Sequence, residues 1–154
     1  MMNLGIYLQS LSANEELEFA SIIIKYGIDS GRLSDASIFY DSVGKHSFDI
    51  RCGVFNSTDI WNFSGELMTM SLAATEFAIK IINKFNIYYY YTTKHNDDLL
   101  ALLNVINSYS QLNIICSSDD DAFQLFRLTG KKTIGICKDF NGIINTISEF
   151  KNNG

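Results

Sequence analysis

The sequence predicts one α/β domain over residues 1–154, three-layered, with a mainly parallel sheet of Rossmann-like or flavodoxin-like order. An edge or antiparallel strand is expected near residues 36–55. Two observations carry this. Short apolar runs alternate with stretches whose apolar residues recur at helical spacing. Hydrophobic residues make up 47% of the chain against 19% charged, enough to fill a sheet interior covered on both faces. A chain of 154 residues is the usual size of one domain, so a single core is expected.

Strands are expected at residues 4–8, 36–40, 50–55, 66–70, 87–91, 113–116 and 133–137, most of them continuous apolar runs. Ser12 stands three residues before Glu15, a capping-box spacing, and Leu17, Ala20, Ile23 and Ile24 share one face of the helix that follows. That helix should end near Gly27. Ala74, Phe77, Ala78, Ile81, Ile82 and Phe85 form a second stripe, and Leu99, Leu102, Leu103 and Ile106 a third that begins after Asn96. A fourth helix follows Ser118, uses Ala122, Phe123 and Phe126, and stops at Gly130, where a left-handed residue is expected. The last places Ile143, Ile144, Ile147 and Phe150 together. Residues 41–49 are too few for a crossover helix, so the strands near Ile38 and Cys52 are not expected to be parallel neighbours. From Ser71 onward regular alternation requires parallel pairing with helices on both faces.

Charge and composition exclude several classes of function. The formal charge is −5 and the only adjacent basic pair is Lys131 and Lys132, so nothing draws the chain to a nucleic-acid backbone. No apolar run approaches the roughly 20 residues that span a bilayer, and residues 1–11 lack a basic leader, so no membrane is expected. Cys52, Cys116 and Cys137 are odd in number and widely spaced among apolar neighbours. They read as buried free thiols in a reducing, cytoplasmic compartment.

Catalytic and cofactor chemistry each requires particular residues at particular spacing. A phosphate cradle needs glycines where backbone amides approach the anion, and after the first strand stand Gln9-Ser10-Leu11-Ser12-Ala13-Asn14 instead. No dinucleotide fingerprint or Walker loop is present, and no cofactor is expected. His46 and His95 lie in polar segments with no His or Cys at ligand spacing, and His95-Asn96-Asp97 reads as a turn and cap. Asp119, Asp120 and Asp121 open a helix, where the macrodipole accounts for them; no metal site and no catalytic residue is assigned. An acidic pair after the first strand, which a receiver domain needs, is also missing. Tyr88 to Tyr91 should send successive rings to opposite faces of a central strand.

Ligands of open α/β sheets bind outside the carboxyl ends of the strands. The candidate ligand-binding residues are therefore Ser10, Ser12, Asp41, Ser71, Thr92 and Ser118. Residues 55–65 hold the only tryptophan among Asn, Ser and Asp. There Phe55, Asp59, Trp61 and Phe63 are candidates for contact with a partner chain, either a second copy or another protein.

The chain resembles the N-terminal Rossmann-like half of GT-B glycosyltransferases, and is similar to short phage-encoded proteins of that type. The likeness rests on the first strand and helix, the excursion over residues 41–55, and the segment Trp61-Asn62-Phe63-Ser64-Gly65-Glu66-Leu67-Met68-Thr69. It continues in Ile115-Cys116-Ser117-Ser118-Asp119, then through Leu128-Thr129-Gly130 to Lys138-Asp139-Phe140. It implies a sugar or nucleotide ligand, in a cleft that such enzymes close with a second domain. One domain alone is then expected to be a non-catalytic or degenerate glycosyltransferase-like domain binding a small ligand or a protein partner. The alternatives are a sugar or nucleotide transferase that completes its cleft by oligomerising, and a purely structural interaction module.

Overall fold

A computed structural model describes residues 1–82, 85–92 and 98–153. The chain runs β1 (Met2–Leu11), α1 (Glu15–Asp29), β2 (Leu33–Val43), β3 (Gly53–Asn56), a 3-10 helix (Ser57–Asn62) and β4 (Gly65–Thr69). It continues through α2 (Leu72–Ala78), β5 (Phe85–Tyr91), α3 (Leu99–Ser108), β6 (Asn113–Cys116), α4 (Asp119–Thr129), β7 (Gly135–Ile136) and α5 (Phe140–Asn153). The seven strands form one sheet in the order β3-β2-β1-β4-β5-β6-β7, and every neighbouring pair is parallel. This is the Rossmann-like arrangement: order reverses between β1 and β4, so connections leave this seam in opposite directions.

Apolar side chains fill both faces. Leu4, Ile6 and Leu8 of β1 meet Leu17, Ile23 and Ile24 of α1 and Ile143, Ile144 and Ile147 of α5 on one face. Tyr7, Leu67, Ile87 and Ile114 meet Ala74 and Ala78 of α2, Leu102 and Val105 of α3 and Leu125 of α4 on the other. The tyrosine run divides between them, with Tyr88 and Tyr90 on the first face and Tyr89 and Tyr91 on the second, as alternation in a strand requires.

Several local expectations are corrected. β3 is the edge strand expected there, yet it pairs parallel with β2, Ile38 opposite Val54 and Phe39 opposite Phe55. No helix is needed to make that crossover. Residues 44–52 reach roughly 30 Å when extended, longer than an average strand, and Phe48, Ile50 and Cys52 pack against the α1 face on the way back. Cys52 is accordingly half-buried and outside a strand, whereas Cys116 and Cys137 are buried; all three are free thiols. Ser12 does not cap α1. Asn14 does, its Oδ1 accepting the Leu17 amide at 2.8 Å, and the helix runs on to Asp29.

The second apolar stripe is also shorter as a helix than its periodicity implies: α2 ends at Ala78, and Phe85 opens β5. In α4, Ser118 caps and Gly130 terminates at φ 76° as expected, but Leu125 faces the core while Phe123 and Phe126 lie on the exposed side. α3 is capped by Asp98; the start expected after Asn96, like the His95-Asn96-Asp97 turn, lies outside the described residues. Among the described residues, no helix is long and apolar enough to cross a membrane.

Candidate functional site

The reversal of strand order leaves an opening at the carboxyl edge, because α1 departs to one side of the seam and α2 to the other. Two adjoining hollows occupy it, about 190 and 390 Å³ in volume, and share Glu15, Glu16 and Met70. Phe19, Tyr90, Thr92 and Ser117 complete the smaller; Asn14 and Ser71 complete the larger. Each residue arrives by simple means: the cap and opening residues of α1 bring 14–19, the end of β4 brings 70–71, and β5 and β6 end at 91 and 116.

The floor is apolar and aromatic. Phe19 and Tyr90 pack with ring centroids 4.9 Å apart and planes tilted by 44°. The Tyr90 hydroxyl donates to the Cys137 carbonyl oxygen at 3.2 Å. Burial first, then the neighbouring Cys137 and Asp121, push this hydroxyl up to about 12, so it keeps its proton at neutral pH. Ser117 Oγ donates to Oδ2 of Asp121, a carboxylate that is itself buried at the first turn of α4. Asn14 is occupied on both sides, accepting from Leu17 and donating to the Ser10 carbonyl and Ser12 Oγ.

All six candidate ligand residues stand at or beside the carboxyl ends of strands, but only Ser71 and Thr92 line the hollows. Ser10 and Ser12 bond each other, Oγ to Oγ at 2.8 Å. Asp41 accepts the Tyr7 hydroxyl at 2.6 Å, and burial with that carboxylate beside it raises Tyr7 well above its usual range. Ser118 Oγ accepts the Asp121 amide at 3.1 Å as the cap of α4. Asn14, Glu15, Glu16, Phe19, Met70, Tyr90 and Ser117 line the hollows and were not among the candidates. The signal for them was available in the carboxyl-end rule applied to the first turn of the helix after β1 as well as to the strand ends.

The candidate partner residues separate too. Phe55 on β3 and Trp61 on the 3-10 helix are 43% and 52% exposed, and Asp59 is exposed beside them. Phe63, by contrast, is buried at 7% exposure and packs with the core, its ring edge-on to Phe39 with centroids 5.3 Å apart.

At the opposite, amino edge of the sheet the buried Glu66 carboxylate accepts from Asn86 Nδ2 at 3.1 Å and pairs with Lys151 Nζ at 3.9 Å. That cluster ties the last turn of α5 to β4 and β5. Among the described residues, no three His, Cys, Asp or Glu side chains converge as metal ligands do. No family model, curated protein or solved structure matches the chain.

Proposed function

We propose that the chain is a non-catalytic or degenerate glycosyltransferase-like domain that binds a small ligand at the carboxyl edge of its sheet. The observation that carries this reading is the position of the two hollows. They lie where strand order reverses, which is where ligands of open α/β sheets sit, and the larger is of small-molecule size. A binding domain is favoured over a nucleotide-sugar transferase by the turn after β1. Its Ala13 amide is donated to the Lys45 carbonyl and the Leu17 amide to Asn14, so two backbone donors that a diphosphate cradle would use there are already engaged, and no glycine stands in the turn.

A thermal-shift screen with nucleotides, nucleotide sugars and simple sugars tests the reading. A ligand at one hundred times its Kd stabilises the native state by about 2.7 kcal/mol, roughly 5 to 10 °C in a domain of this size. The shift should vanish in Glu16→Trp, which puts an indole where both hollows meet. A screen without any stabilising compound, or shifts that survive Glu16→Trp, contradicts the reading.

A second reading, association through the outer edge of the sheet, is favoured by the exposure of Phe55 and Trp61 beside a strand whose four residues are all exposed. It concerns a different surface and is compatible with the first.

A further inference from the structure

We propose that the hollows at the β1–β4 seam select an organic amine, a ligand offering hydrogen-bond donors from an apolar frame, over a phosphorylated one. The inference rests on the reading of that seam as a ligand site. It follows from where the protons in the lining already go. A hydroxyl has one proton and two lone pairs. Ser117 gives its proton to Asp121 and Tyr90 gives its proton to the Cys137 carbonyl, so any bond either makes to an occupant is accepted rather than donated. Glu15 and Glu16 line both hollows, and whatever else a carboxylate bonds, it brings no proton.

The amide nitrogen of Asn14 is committed to Ser10 and Ser12. Ser71 differs, since its Oγ accepts the Ala74 amide and its proton is left to give. Among the described lining side chains, Thr92 apart, the bias is thus towards acceptors, above a floor of Phe19, Met70 and Tyr90. An ammonium group supplies three donors and no acceptor, and aromatic faces attract it. A phosphate supplies acceptors alone and would face the Glu15 and Glu16 carboxylates and the lone pairs of Ser117 and Tyr90.

Three compounds with one frame separate these cases: 2-phenylethylamine, 2-phenylethanol and phenylacetate, titrated at pH 7 into the 15N-labelled chain, with adenosine monophosphate as the phosphorylated control. The amine should shift the amides of Glu16, Phe19, Thr92 and Ser117 saturably and bind at least about tenfold tighter than the alcohol. Phenylacetate should bind weakest of the three. Ser117→Ala and Glu16→Gln should each bring the amine-to-alcohol ratio closer to one, because the amine loses more affinity than the alcohol with its single donor. Equal binding of amine and alcohol overturns the inference, as does tighter binding of phenylacetate or the nucleotide at these amides, and in either case the seam remains a ligand site. Amine shifts that fall elsewhere also overturn it. If none of the four compounds moves these amides, the inference and the ligand-site reading fall together.

Discussion

Asn14 caps α1 although Ser12 has the better sequence signature, and the reason lies in β1. That strand runs to Leu11, with Leu11 still paired to Val43, so the chain is extended until just before the turn. Ser12 is then drawn into the bond with Ser10, and the next good capping side chain, Asn14, takes the Leu17 amide. A four-residue motif cannot show how far the preceding strand persists. Asn14→Ala should cost about 1 kcal/mol in urea denaturation, and Ser12→Ala clearly less; the reverse order would restore Ser12 as the cap. Phe63 teaches the same lesson at the outer edge. It stands among polar residues in sequence, yet the 3-10 helix turns it and Ile60 inward while leaving Trp61 out. Ser118 and Gly130 were legible because both of their roles are local: one accepts an amide three residues on, the other supplies a positive φ.

At the scale of elements, apolar runs located the sheet well, and β6 falls on the expected residues. Connections were harder. The expectation against parallel pairing of β2 and β3 assumed that a crossover requires a helix, whereas residues 44–52 cross as extended chain and cover α1-side apolar surface with Phe48 and Ile50. Helical periodicity likewise overran α2, because Ile81 is buried beyond the helix and continues the same stripe. The outcome of these connections is an outer edge made of β3 and the 3-10 helix, with Val54, Phe55 and Trp61 exposed together. If this edge is a contact between copies, Trp61→Ala should weaken association by about 2 kcal/mol or more while the melting temperature holds. Sedimentation velocity over a concentration series checks it. A wild-type chain that stays monomeric throughout contradicts the contact, and a variant that unfolds shows that the indole supports the core instead.

For the whole molecule, the α/β class was legible because both faces of the sheet are apolar, but the strand order was not. Order depends on which side each connection crosses, and that is settled by packing between distant segments such as α1 and α5. The same limit hid most of the seam, since Glu16, Tyr90 and Ser117 come from three separate elements. Burial of titratable groups gives the domain a defined response to alkali. It raises Cys52 and Cys116 from 9.0 to about 11 and Tyr90 from 10.0 to about 12. The folded state therefore holds these protons more tightly than the unfolded one, so this contribution is complete below about pH 9 and is lost as pH rises towards 12. Melting temperatures should fall steadily above pH 9, and a midpoint that stays constant to pH 11 would contradict the burial of these groups. The most direct test of the central claim, that the seam between β1 and β4 is a ligand site, is amide chemical-shift mapping of each compound that raises the melting temperature in the thermal-shift screen. The account predicts that shifts converge on residues 14–19, 70–71, 90–92 and 117. Shifts concentrated on β3 and Trp61, or at the amino edge around Glu66 and Lys151, would contradict it.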